Sequence, residues 1–177
     1  HIYSAFITFA TMQLFPQNPV IPTDKIDLSD FGIKHCFLYI KREDLIHPSI
    51  SGNKFRKLKY NISAAREQQK DTLLTFGGAY SNHIAAVAAV GKEFGFKTIG
   101  IIRGEELWNK SSQNPTLAFA KDCRMQLRFV SRELYRDKED PDFIDELKNK
   151  FGDFYLIPEG GTNEMAVKGC EEIMKDE

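Results

Sequence analysis

Cysteine is scarce in this sequence. Cys36, Cys123 and Cys170 stand far apart, odd in number and with no CxxC, which excludes a zinc ribbon and a dithiol redox motif. Cys36 and Cys170 sit in apolar surroundings and are expected to pack as small hydrophobes, so the chain reads as intracellular, from a reducing compartment. Net charge is also nearly absent, −1 over 177 residues, with basic and acidic residues interleaved. There is thus no electrostatic case for nucleic acid or an anionic membrane. The apolar stretch 5–15 is too short to span a bilayer. It also lacks the basic region and small-residue cleavage site of a signal peptide. Neither a GxGxxG fingerprint nor a Walker loop occurs, and no internal repeat or low-complexity tract is found. What is present is a hydrophobic fraction of 42%, enough to build a packed core. The length suits one domain, or one domain plus part of another. The chain begins with His1, and Met12 heads a more ordinary start; residues 1–11 are expected to be an upstream extension or leader.

Taken in order, residues 18–22 are proline-rich and extended. Residues 37–41 are short, aromatic and β-branched, a strand. From Asn53 the pattern becomes helical, with Phe55, Leu58, Ile62 and Ala65 on one face and Lys57, Lys59, Arg66 and Glu67 largely elsewhere. Thr72-Leu73-Leu74-Thr75-Phe76 is a strand ended by Gly77-Gly78. Residues 81–94 form a helix rich in alanine and valine, suited to close packing on a sheet, with Gly95 as its C-terminal cap. The alternation continues with strands at 97–102, 125–130 and 155–157 and helices at 115–122, 142–150 and 163–174. Such alternation with short glycine turns predicts an α/β fold, an open parallel sheet with helices on both faces. Ligands of such sheets sit at the C-terminal ends of strands, where Gly77-Gly78 and Gly160-Gly161 fall. The last helix is followed by nothing that returns to cover residues 12–50, so the chain reads as one complete small domain plus pieces of a second.

Several residues carry chemical interest. Lys54 begins a helix, where positive charge is disfavoured, and a lysine of lowered pKa is what Schiff-base chemistry needs; the plainer reading is a solvated lysine near Lys57 and Lys59. Ser81 is a natural N-cap. It either only caps, or shares in a site where free N–H groups bind a carboxylate, with Asn82 bonding a ligand oxygen and Ser81 carrying a proton. His83 is a base or merely a polar residue near the strand ends, with no carboxylate partner assignable from sequence. Gly77-Gly78 and Gly160-Gly161 read first as tight turns needing positive φ, and second as places where backbone approaches a ligand. Trp108 lies in a loop as a packing residue or a pocket wall, and 137–140 is a solvated charged run.

Four motifs occur in order: Lys41-Arg42-Glu43-Asp44, Gly52-Asn53-Lys54-Phe55-Arg56-Lys57-Leu58, Gly78-Ala79-Tyr80-Ser81-Asn82-His83 and Pro158-Glu159-Gly160-Gly161-Thr162-Asn163. Together they resemble the family of 1-aminocyclopropane-1-carboxylate deaminase and D-cysteine desulfhydrase, pyridoxal-phosphate enzymes of fold type II like the tryptophan synthase β-chain. The resemblance runs over residues 12–177. It implies that Lys54 is the lysine bound covalently by pyridoxal phosphate. Ser81 matches the serine that handles protons or the substrate carboxylate, and Asn82 the asparagine beside the cofactor's ring hydroxyl. His83 matches a substrate-binding position near the carboxylate, commonly glutamine in the deaminases and histidine in the desulfhydrases. The implied reaction is loss of a β-leaving group or ring opening of a small amino acid, giving a 2-oxo acid and ammonia. A homodimer in the cytoplasm, with no metal, is implied as well. The implied organisation is a leader at 1–11, the first part of the large domain at 12–54, a small α/β domain at 55–160 and the return into the large domain at 161–177. Two departures stand out. Ile84-Ala85-Ala86 replaces an arginine common after the triplet, and the phosphate cup, the group facing the pyridine nitrogen and the active-site tyrosine of the family lie beyond Glu177. A fragment with poor cofactor binding and little turnover is therefore expected. Serine dehydratase-like or cysteine synthase-like chemistry, and a non-catalytic α/β module, are the competing readings.

Overall fold

The computed structural model describes residues 15–16, 19–33 and 35–174. The extension expected at 1–11 and the Met12 start lie outside the described residues. Two sheets are present among the described residues. One is an antiparallel pair, β1 (Thr23–Ile26) and β2 (Leu38–Lys41), in register Thr23 to Lys41. The other has four parallel strands in the order β5-β4-β3-β6, comprising β3 (Thr72–Gly77), β4 (Lys97–Arg103), β5 (Gln126–Val130) and β6 (Tyr155–Ile157). Five α-helices accompany them among the described residues: α1 (Asn53–Glu67), α2 (Asn82–Phe94), α3 (Pro115–Asp122), α4 (Pro141–Phe151) and α5 (Glu164–Glu171).

Handedness explains which face each helix covers. The chain steps β3, β4, β5 in one direction, then returns past both to place β6 beside β3. Crossovers between parallel strands are right-handed, so a reversal of direction moves the connecting helix to the other face. Accordingly Phe55 and Ile62 of α1, Val87 and Val90 of α2 and Leu117 of α3 share one core with Leu73 and Ile102. Phe143 and Leu147 of α4 share the other with Leu74, Phe76, Ile99 and Ile101. The two-residue alternation along β3 and β4 is that of a pleated strand buried on both sides. The expected open parallel sheet with helices on both faces is what the structure has.

Several expectations need correction. β1 was not foreseen, because Thr23-Asp24-Lys25-Ile26 carries no apolar alternation; it is held by pairing with β2, and both strands are largely exposed. Cys36 is exposed rather than packed, while Cys123 is buried. Lys59 is buried and Arg56 fully so, because Glu43 and Glu172 meet them there. Gly77 and Gly78 have no positive φ. Gly77 is instead needed for space, since a Cβ there would lie 2.5 Å from Ile84 Cγ1. Trp108 stands in a 3-10 stretch, Glu105–Gln113, exposed and edge-on to Phe129. The last helix ends at Glu171 and passes into the 3-10 turn Glu172–Met174.

Candidate active site

The reversal of strand order places the C-terminal ends of β3 and β6 side by side, with Thr75 opposite Ile157. Connections leaving adjacent strands at such a point part from one another and open a crevice. Gly77-Gly78 leads into α2 on one side of it, and Pro158–Asn163 leads into α5 on the other. α1 lies against the second of these turns.

Ser81 caps α2 as expected: its Oγ accepts from Ile84 N at 3.3 Å, and its carbonyl accepts from Ala85 N. The N–H groups of Asn82 and His83 are the first two of the helix and have no intrahelical acceptor. The Asn82 side chain is exposed. Gly78 has no side chain within 3.8 Å of where a Cβ would stand, and the neighbour at that distance is Arg103 Nη2.

His83 is 2% exposed. Its Nε2 lies 2.8 Å from Thr75 Oγ1, and that hydroxyl donates its single proton to the Ile157 carbonyl, also at 2.8 Å. The imidazole is therefore the donor to Thr75, and its proton sits on Nε2. Nδ1 is left as a buried lone pair with no hydrogen-bond partner among the described residues. Burial pushes the His83 pKa down to about 3, helped by the charges of Lys54 and Lys57 and opposed by the Pro158 carbonyl. His83 is neutral at physiological pH, so it does not serve as a cation. Gly161 covers the ring: a Cβ at Gly161, whose φ is +69°, would lie 3.0 Å from His83 Cε1.

Lys54 occupies the first turn of α1, after Gly52 at φ +61°. Its Nζ donates to Asn53 Oδ1 at 3.0 Å. The amine is held below the ordinary lysine range, by burial first and by Lys57 second, with the Cys170 thiol acting in the opposite sense. Lys57, not singled out from sequence, reaches the opposite turn and donates to Thr162 Oγ1 at 2.8 Å and to the Gly160 carbonyl at 3.5 Å. Asn61 and Asn163 exchange side-chain hydrogen bonds at 3.1 and 2.7 Å, and Asn163 caps α5. Thus Lys57, the Gly160–Thr162 turn, His83 and Thr75 are linked by contacts across one crevice, and Lys54 stands close enough for its charge to be felt at His83. The signal for Lys57 was its spacing of three from Lys54, and Thr162 lay within the glycine-turn motif without a role of its own; nothing local in the sequence marks Thr75.

No protein-family model matches the chain. A Thermotoga maritima protein provisionally named 1-aminocyclopropane-1-carboxylate deaminase is 36% identical over 152 residues, covering 84% of this chain and 47% of that protein. D-cysteine desulfhydrase of Serratia proteamaculans is 29% identical, covering 84% of this chain and 45% of the enzyme. The crystal structure of a 1-aminocyclopropane-1-carboxylate deaminase homologue superposes with a TM-score of 0.72 at 28% identity, over 92% of this chain and 48% of the other. By homology the chain belongs to the 1-aminocyclopropane-1-carboxylate deaminase and D-cysteine desulfhydrase family. It spans about half the length of the curated family members it matches.

Proposed function

We propose that this chain is the pyridoxal-phosphate-binding first half of a lyase or deaminase that acts on a small amino acid and releases a 2-oxo acid and ammonia. The observation that carries the reading is the pairing, at one crevice, of a lysine amine held below its ordinary range with a helix N-terminus whose first N–H groups are unused. An aldehyde needs an unprotonated amine, and a carboxylate needs aligned N–H donors. The residues present fit such a cofactor. Lys57 offers positive charge with no carboxylate within ion-pair distance among the described residues, which suits an anionic group beside the Lys54 amine.

When bound, pyridoxal phosphate supplies the electron sink for bonds at the substrate's α-carbon. The chain's own residues do the rest. Lys54 Nζ is the amine that holds the aldehyde and accepts or returns a proton near it. The free N–H groups of Asn82 and His83 bind the substrate carboxylate, so His83 contributes through its backbone while its neutral ring stays locked to Thr75. Ser81 Oγ, at the mouth of α2, carries a proton to or from the substrate, and the exposed Asn82 amide bonds a cofactor oxygen. Histidine as the third residue of the triplet supports a D-cysteine desulfhydrase-like substrate over the cyclopropane. In this reading residues 12–54 and 161–177 belong to a larger cofactor domain and 55–160 form the small one. The protein works as a cytoplasmic homodimer on a small molecule, without nucleic acid or membrane. Among the described residues no helix is long and apolar enough to cross a membrane.

The test is to offer D-cysteine and 1-aminocyclopropane-1-carboxylate, with pyridoxal phosphate, to the native protein and in parallel to the 177-residue chain. Release of a 2-oxo acid with sulfide from D-cysteine is expected from the native protein, and little from the chain alone. Failure of the native protein to form any 2-oxo acid from either compound overturns the reading.

A further inference from the structure

The first half of α1 carries four cations, Lys54, Arg56, Lys57 and Lys59, and the fold sorts them into two kinds. Arg56 and Lys59 are buried against carboxylates. Arg56 Nε and Nη2 each lie 3.0 Å from a Glu43 oxygen, and Lys59 Nζ lies 2.7 and 2.9 Å from the two oxygens of Glu172. Among the described residues Lys54 and Lys57 meet only neutral oxygens: Asn53 Oδ1 for the first, Thr162 Oγ1 and the Gly160 carbonyl for the second. A spacing of three residues puts these two amines on one helix face, one above the other. Lys57 is not free to swing away. Its Nζ is tied to the turn, and the turn is itself held by Gly161 against the His83 ring and by the Asn61–Asn163 amide pair.

We propose that Lys57 is a positioning residue for Lys54: the Gly160–Thr162 turn fixes its ammonium, which meets no carboxylate among the described residues, at a position one helical turn along α1 from Lys54, and so keeps the Lys54 amine in its nucleophilic form. The inference rests on the reading of Lys54 as the amine that takes up an aldehyde. A like charge disfavours protonation of its neighbour, and a lysine beside a second cation is an established way to obtain a reactive amine. The other groups facing Lys54 do not replace this effect. Cys170, on α5, acts in the opposite direction, and His83, on α2, is neutral. Glu159, at the start of the turn, is engaged elsewhere, by Tyr135 at 2.8 Å and Lys138 at 3.5 Å. The same tether serves a second purpose, since it closes the turn over His83 and holds the wall of the crevice.

The experiment reads the amine without any cofactor. Reductive methylation of the chain with 13C-formaldehyde gives each lysine a resolved NMR signal whose shift follows its own protonation, with Lys54→Arg assigning the signal of interest. The Lys54 midpoint is expected to lie below those of the exposed lysines. In Lys57→Gln it should rise by about half a pH unit or more, and in Lys57→Arg it should stay low. In Thr162→Val, where the tether is lost and the lysine kept, it should rise part of the way, which tests the idea even where Lys57→Gln does not fold. A purely structural Lys57 would lower the melting temperature of these variants and leave the Lys54 midpoint where it was; that result overturns the proposal. A Lys57-dependent midpoint with no uptake of pyridoxal phosphate would defeat the functional reading alone. Uptake at Lys54 with an unmoved midpoint would defeat only the role of Lys57.

Discussion

At the scale of the residue, His83 ties stability to pH. Its unfolded pKa is near 6.5 and its folded pKa is about 3, so between these values the unfolded chain binds a proton that the folded chain does not. Stability contributed by the neutral ring is therefore complete above pH 6.5 and falls as the pH drops, by at most about 1.4 kcal/mol per pH unit, levelling off below 3. Urea unfolding at pH 7 and pH 4.5 should show a larger loss for the native chain than for His83→Gln, which keeps a donor toward Thr75 but does not titrate. Equal losses would mean that the ring is not buried as neutral imidazole. Thr75 is the residue that fixes the tautomer, and Thr75→Val should cost about 1–3 kcal/mol, because it strands both His83 Nε2 and the Ile157 carbonyl. The same denaturation series reads that change.

At the scale of the element, α1 and α5 are the pair on which the crevice depends. Gly169 of α5 sits on the backbone of α1, where a Cβ would collide with the Arg56 carbonyl. A backbone atom cannot rotate away, so Gly169→Ala should cost about 1–3 kcal/mol or more. Glu172→Ala leaves Arg56 and Lys59 buried with one carboxylate fewer, and should cost about 3 kcal/mol or more. The exposed pair Lys97–Asp71, with 78% and 69% of its side chains accessible, should contribute less than about 1 kcal/mol; equal effects of Glu172→Ala and Lys97→Ala would contradict the ledger of buried charge. This is also where the sequence stopped being legible. β3, α2 and Gly95 were readable because their signals are local: an apolar run, a small-residue helix, a cap. Lys59 was placed away from the buried face, and the burial of Arg56 had no local signal, because their carboxylates lie 113 and 13 residues away. Gly77 was read as a positive-φ turn, yet its need is for space beside Ile84, which only tertiary packing shows. The motifs at Lys54, Ser81 and Gly160 were readable, but the bond between Lys57 and Thr162 and the role of Thr75 were not, since these contacts join residues far apart in the chain.

At the scale of the whole molecule, the four-stranded sheet is closed on both faces while the β1–β2 pair is not. Leu38, Tyr39 and Ile40, consecutive residues pointing to alternate faces, are all about half exposed, and Phe37 is 70% exposed. About half of the relatives' length has no counterpart in this chain. The pKa of the Lys54 amine is lowered by burial first and by Lys57 second, and both are present in these 177 residues. The reaction of that amine with an aldehyde can be measured directly. The chain is mixed with excess pyridoxal phosphate, reduced with borohydride and digested, with Lys54→Ala alongside. The account predicts one dominant pyridoxyl-labelled peptide containing Lys54, missing from the variant. Label spread evenly over the surface lysines, and unchanged by Lys54→Ala, would contradict it.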